Sequence, residues 1–222
     1  MISKRLLFTL ALSFFMATLA SAGTVTYSDS IDLTSTNWSD TVSIQKFDAS
    51  LGTLVSIEFT LSGHVEGTIR FESMDSSPTT VDACLKAEIE LRRPDDSLIV
   101  ETFPLASVSE DVTAYDGVMD WGGTSGRTYD GLSGDKTETL VSPPPSSDLA
   151  LFTGTGSIVL PIVATGCSTA SGGGNLISQF ITSASAYVEV TYTYDEPAIP
   201  EPATLLLLVS GVSGLVFARS RR

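Results

Sequence analysis

The chain has 222 residues and a formal net charge of −14, with 42% hydrophobic and 17% charged residues. Such acidity argues against nucleic acid and anionic lipid as partners, because both would repel it. It suits a well-solvated surface, and a Ser-, Thr-, Gly- and Val-rich, Lys-poor composition is common among exported β proteins.

Lys4 and Arg5 give a positive start, an apolar run extends from Leu6 to Leu19, and Ala20-Ser21-Ala22 follows. These are the features of a secretory signal peptide, here residues 1–22, with Ala20 and Ala22 forming the signal peptidase site. The apolar run is short against the roughly 20 residues a bilayer needs, so cleavage after Ala22 is expected rather than anchoring. The stretch 23–194 is then one domain's length of chain. Between residues 23 and 199, seven basic residues face 25 acidic ones, a balance of −18.

Strand periodicity dominates this domain. Val55, Ile57, Phe59 and Leu61 alternate with polar residues, Gly63-His64 reads as a turn, and Val65, Ile69 and Phe71 continue the alternation, which predicts a hairpin. Val81, Ala83, Leu85, Ala87, Ile89 and Leu91 form one face of a longer strand. Pro94-Asp95-Asp96 supplies a turn, after which Leu98-Ile99-Val100 returns. Between Val112 and Leu149 the pattern fails among Gly122, Gly123, Gly126, Gly131, Gly134 and Pro143-Pro144-Pro145, which reads as a long-loop region. From Ala184 to Tyr194 the last strand places Ala184, Ala186, Val188, Val190, Tyr192 and Tyr194 on one face. No helical period competes between the two ends, so the expected class is all-β, an antiparallel β-sandwich.

Catalytic chemistry needs a constellation that these residues do not offer. The single histidine, His64, has no Gly-x-Ser-x-Gly nucleophile to serve, and one histidine with two distant cysteines makes no zinc site. Gly172-Gly173-Gly174-Asn175 lacks the Lys-Ser/Thr of a phosphate loop. No catalytic residue, metal or cofactor is therefore expected. Asp116, Asp120, Asp130 and Asp135 lie in the loop region and could wrap calcium, but no repeat of aspartates with ligand spacing is present, so solvated acids are the plainer reading. Tyr115, Trp121 and Tyr129 could stack on a sugar ring or cap one end of the sandwich, and the sequence leaves both open. Cys84 and Cys167 form an even pair in an exported domain, which favours one disulfide over two free thiols.

Beyond Tyr194, Asp195 to Ile199 forms a linker. Pro200-Glu201-Pro202 follows, then an apolar stretch that predicts a transmembrane helix over 204–218, and Arg219, Arg221 and Arg222 close the chain. The prolines keep the segment before the helix extended. The arginines can snorkel to lengthen the reach of a short span, and as a basic anchor they stay cytoplasmic. With the signal peptide, this places the domain outside the inner membrane. Pro-Glu-Pro, apolar helix and terminal arginines in residues 200–222 resemble the PEP-CTERM sorting signal. The resemblance implies processing by exosortase, transient residence in the inner membrane, and then the cell surface or the extracellular space.

Four short segments carry a second resemblance: Phe47-Asp48-Ala49-Ser50-Leu51-Gly52-Thr53-Leu54, Asp120-Trp121-Gly122-Gly123-Thr124-Ser125-Gly126, Phe152-Thr153-Gly154-Thr155-Gly156 and Val190-Thr191-Tyr192-Thr193-Tyr194. In this order they are similar to the choice-of-anchor E domain, a β-rich module found upstream of PEP-type tails. That family brings no catalytic expectation with it. The tail, the acidic core and the absence of catalytic residues together point to a structural surface or extracellular-matrix protein associated with exopolysaccharide, and the choice-of-anchor likeness supports exposure at the cell surface. The alternative is a carbohydrate- or calcium-binding module using the 112–149 loops.

Overall fold

The computed structural model describes residues 22–143 and 146–197. The signal peptide up to Ser21, Pro200-Glu201-Pro202, the expected helix over 204–218 and the basic anchor lie outside these residues. Among the described residues, no helix is long and apolar enough to cross a membrane.

Ten strands occur in chain order: β1 (Ala22–Ser35), β2 (Trp38–Gln45), β3 (Thr53–Ser73), β4 (Thr79–Arg92), β5 (Leu98–Thr102), β6 (Leu105–Val112), β7 (Gly126–Ser142), β8 (Ser157–Gly166), β9 (Thr169–Ser171) and β10 (Leu176–Asp195). Among the described residues a 3-10 turn (Ala49–Leu51) and a short helix, α1 (Ser147–Leu151), interrupt them, where no helix was expected. They form two antiparallel sheets, one ordered β1-β10-β3-β7 and the other β2-β8-β4-β5, with β6 and β9 also pairing with β4. This agrees with the expected β-sandwich.

The core lies between the sheets, and the period-two pattern assigns its residues. Ile57, Phe59, Leu61, Val65, Ile69 and Phe71 of β3, and Ala184, Ala186, Val188, Val190 and Tyr192 of β10, face Val81, Leu85, Ile89, Leu91, Leu160 and Ile162 of the opposite sheet, and all are buried. Fully burying a side chain of this size contributes about 1.5–3 kcal/mol, so the long strands are held by their inward faces.

Two sequence expectations fail here, each for a clear reason. Gly63-His64 is not a turn, because β3 runs through it without a break for 21 residues. The odd-numbered apolar set keeps its phase from Ile57 to Phe71, and Gly63 merely omits one inward side chain. A Cβ there would meet Ile89 Cδ1 and Thr102 Cγ2, both at 2.8 Å. The sheets approach closely at this point, and glycine is the residue that permits it. Secondly, residues 126–142 of the expected loop region form the edge strand β7. Gly131, at φ 68°, sits where the β3–β7 register shifts between Gly67 and Ile69. The extra residue moves the inward set from Arg127 and Tyr129 to Leu132, Glu138 and Leu140, so no single alternation spans the strand.

The expected bridge between Cys84 and Cys167 is not formed, since both are free thiols of intermediate burial. Cys84 stands opposite Thr169, while the Cys167 N–H bonds the Lys86 carbonyl at 2.9 Å. The two cysteines are thus diagonal neighbours. Diagonal positions lie roughly 7–8 Å apart, beyond the usual disulfide reach. Burial and the neighbouring acidic groups push the Cys167 thiol pKa up.

One ion pair ties α1 to the β4–β5 turn. Arg93 donates Nε to Asp148 Oδ1 at 2.6 Å and Nη2 to Oδ2 at 2.8 Å, and the Ser142 hydroxyl donates to Oδ2 at 3.0 Å. The Asp148 side chain is 2% exposed and that of Arg93 21%. The Arg93 bonds hold the Asp148 carboxyl below its ordinary pKa. A depressed carboxyl pKa stabilises the fold above the unfolded value of about 4, and the contribution is lost as pH falls through the folded value. Asp148→Asn should cost about 3 kcal/mol near neutral pH, the low end for breaking a buried pair because Arg93 keeps some water. Denaturant melts should show this gap shrinking below about pH 4.

The central position of β10 gives a second test. A chain ending at Val188 loses Val190 and Tyr192 together with the ladder to Ala22–Ser28 of β1 and Thr53–Thr60 of β3, and should show no cooperative melt. One ending at Asp195 should melt like the complete chain. Equal melting temperatures would show that β10 does not hold the core.

Candidate functional site

The two ends of the domain lie side by side. Ala22 pairs with Asp195 across β1 and β10, and Asp195 pairs with Thr53 across β10 and β3. Ala22, the residue preceding the expected signal cleavage, and Asp195, the last residue before the linker, thus occupy one pole of the sandwich. Three of the four segments that suggested a choice-of-anchor likeness meet at this pole. The Phe47 N–H bonds the Phe152 carbonyl at 2.9 Å, and Gly154 N–H bonds the Phe47 carbonyl at 3.0 Å. The Phe47 ring lies 5.9 Å from that of Tyr192 and 5.2 Å from that of Tyr194. Tyr192 donates its hydroxyl to the Gln45 carbonyl at 3.0 Å, and burial raises its pKa well above the ordinary phenol value. The point from which the tail departs is therefore an aromatic, hydrogen-bonded plug. From Asp195 to Pro200 the chain can span at most about 18 Å when extended.

The opposite pole carries the Asp120–Gly126 segment. It is fastened by Glu72, a buried carboxylate that sequence reading did not single out. Glu72 accepts the Trp121 N–H at 2.9 Å and the Ser125 hydroxyl at 2.6 Å. Trp121 adopts φ 62°, so this contact holds a left-handed turn in place. Alternation puts Glu72 in the outward phase of β3, so no local signal marked it; its burial comes from the Trp121–Ser125 segment that it fastens, and a buried carboxylate must find donors.

The loop acids do not converge. Asp116 accepts the N–H groups of Val118 and Thr124 at 3.0 and 3.2 Å, which lower its pKa, and Asp120 accepts the Gly122 N–H at 2.9 Å. Asp130 accepts the Thr68 hydroxyl at 2.9 Å, and Asp135 faces His64. Tyr129 donates to Glu110 at 2.9 Å with its ring 6.3 Å from that of Phe71, so it caps the core rather than offering a platform. Among the described residues, carboxylates do gather at Glu88, Glu90 and Glu101, where Arg92 bonds Glu90. The glycine run near Asn175 holds an internal anion: Asp75 accepts the Gly174 N–H at 2.7 Å and the Asn175 N–H at 2.9 Å. Backbone donors that might cradle a phosphate are filled by the chain's own carboxylate.

His64 lies on the outer face of the β1-β10-β3-β7 sheet, between Ser185 of β10 and Asp135 of β7 in register. Its Nδ1 is 2.7 Å from Asp135 Oδ1, and Nε2 is 3.8 Å from Glu66 Oε2. The order Ser-His-Asp invites comparison with a hydrolytic triad, but no hydrogen bond joins Ser185 to His64 among the described residues. The backbone N–H groups around them serve the ladder and leave no oxyanion donors. Serine and threonine hydroxyls fill the flanking rows, with Ser62 and Thr137 2.8 Å apart and Thr26 and Thr191 2.8 Å apart.

Residues 198–222 match the PEP-CTERM protein-sorting motif. This chain carries that motif. The motif implies an exosortase-sorted extracellular protein, with export and a membrane-anchored C-terminus before processing. No curated protein matches the chain. Among solved structures, the infectious bursal disease virus VP2 subviral particle is similar at 16% identity over 82% of this chain and 43% of that one, with a TM-score of 0.23. The T13 IBDV viral particle is similar at 16% identity over 82% and 41%, with the same TM-score, 0.23. The chain spans less than half the length of these capsid chains, and likeness at this level carries no argument about fold or function.

Replacing Glu72 by alanine tests the distal pole. The buried Ser125 hydroxyl and the partly buried Trp121 N–H would lose their acceptor, at a cost of about 1–3 kcal/mol. Tryptophan emission should shift to the red as Trp121 is released, and an unchanged melt and spectrum would show that the loop is fixed by other contacts.

Proposed function

We propose that this protein is a structural surface or extracellular-matrix protein of the choice-of-anchor E type, associated with exopolysaccharide and without catalytic activity. A signal peptidase cleaves after Ala22. The helix over 204–218 then holds the chain transiently in the inner membrane, with Arg219, Arg221 and Arg222 inside. Exosortase acts at Pro200-Glu201-Pro202. The observation that carries this reading is the PEP-CTERM motif over residues 198–222, which follows the last strand residue, Asp195, by only a few positions. Because Ala22 pairs with Asp195, both processing points leave from one pole and face the same membrane. The remaining surface projects outward. A carbohydrate- or calcium-binding role for the 112–149 loops gains no support, since Asp116, Asp120, Asp130 and Asp135 each have separate partners.

Replacing Pro200, Glu201 and Pro202 together by alanine should leave the full-length chain, less its signal peptide, in the inner membrane. The unaltered protein should be recovered from the surface or medium without residues from about Pro200 onward. Intact mass of both forms from the native host decides the matter, and an unchanged mature mass in the triple variant would refute exosortase processing at this motif.

A further inference from the structure

The outer face of the β1-β10-β3-β7 sheet carries a groove of about 400 Å³ midway along the strands, within the size range of small-ligand sites. We propose that this groove binds a short segment of neutral or amino-sugar polysaccharide. The inference rests on the exopolysaccharide association above and adds the site that makes the contact. From the 112–149 stretch it takes only Asp135 and Thr137, which lie in strand β7 and not in a loop.

The walls have the chemistry such a ligand needs. Tyr187 exposes 43% of its surface and Leu33, on the rim formed by β1, exposes 46%. Leu33 is exposed because β1 loses its pairing register between Ile31 and Thr34, which lifts the rim off β10. An exposed aromatic ring offers a face to the apolar C–H side of a sugar, and both apolar groups lie toward β1, beside a polar floor on β3 and β7. On that floor Ser62 and Thr137 bond each other, so each hydroxyl keeps capacity for a further donor or acceptor. Asp135 is 80% exposed and engages His64 through one oxygen, leaving the other for a ligand hydroxyl. Asp32 lines the same groove. Carboxylates accepting from hydroxyls make strong, charge-assisted bonds.

Charge selects among glycans. Asp32, Asp135 and Glu66 surround the groove, and His64 is its only basic side chain. Uronates, sulfates and phosphates would be repelled, whereas neutral sugars are tolerated and ammonium groups attracted. Position suits the role as well. Ser62 lies nine residues along β3 from Thr53, or roughly 30 Å from the tail pole. A polysaccharide could therefore be held while the tail is still in the membrane.

The test uses the full-length chain in detergent, applied to an array of neutral, aminated and uronic oligosaccharides. Two substitutions, Tyr187→Ala and Asp135→Asn, change exposed side chains, and thermal melts check that both variants stay folded. Retention of neutral or aminated glycans, weakened at least tenfold by each substitution, is the expected result. Glycan binding that both folded variants keep would overturn the groove while leaving exopolysaccharide association standing. Binding confined to uronic oligosaccharides would overturn the charge selection and with it the proposal. No retained glycan of any class would overturn the groove and the association together, whereas exosortase processing is judged separately by the mass of the mature chain.

Discussion

The backbone ladder on both sides of β10 is the constraint on which the molecule depends. This strand pairs with β3 along its whole length and with β1 from Ser183 to Asp195, and it carries a run of buried side chains from Ala184 to Tyr192. Among the described residues it is also the last strand. The first sheet therefore lacks its central strand until residues 176–195 are available, and neither β1 nor the β3–β7 pair can complete a core alone. The segment that follows β10 directly is the sorting tail. Completion of the fold and delivery of the tail to the membrane are adjacent events on the chain.

Antiparallel pairing of the first strand with the last also fixes where the chain ends emerge. The plug of Phe47, Tyr192 and Tyr194 secures the pole at which Asp195 leaves, so a pull on the tail meets a packed, hydrogen-bonded strand. The edges of the sandwich are controlled as well. Asp29 shares the inward set of β1 with Val25, Tyr27 and Ile31, and it accepts the Ser43 N–H of β2 at 2.8 Å. An inward-pointing charge on an edge strand opposes pairing with another chain, and here it also joins the two sheets along one side.

The acidic surface is arranged locally rather than gathered into one centre. Glu72, Asp75, Asp116 and Asp148 each stabilise a turn, a loop or a helix start through named donors, and Arg93 neutralises the buried Asp148. High negative charge in this protein therefore has two uses. Part of it replaces missing backbone partners in the loops, and the rest keeps the outer faces solvated.

The sequence by itself determined the sorting tail and the strand faces. Charge, hydropathy and proline placement act locally, so the sorting tail was legible without a fold, and period-two alternation located the inward sides of β3, β4 and β10. It could not reveal that β3 is one strand, because Gly63 is a gap in the pattern whose cause, Ile89 and Thr102 across the core, lies far away in sequence. Nor could it reveal β7, whose phase is broken by the bulge at Gly131 and whose edge position leaves little apolar signal. The diagonal offset of Cys84 and Cys167 depends on the pairing of β4 with β8 and β9, which an even cysteine count does not encode. The groove beside Tyr187 is likewise a product of register: Ser185, His64 and Asp135 come from three strands, and only the ladder places them in one row.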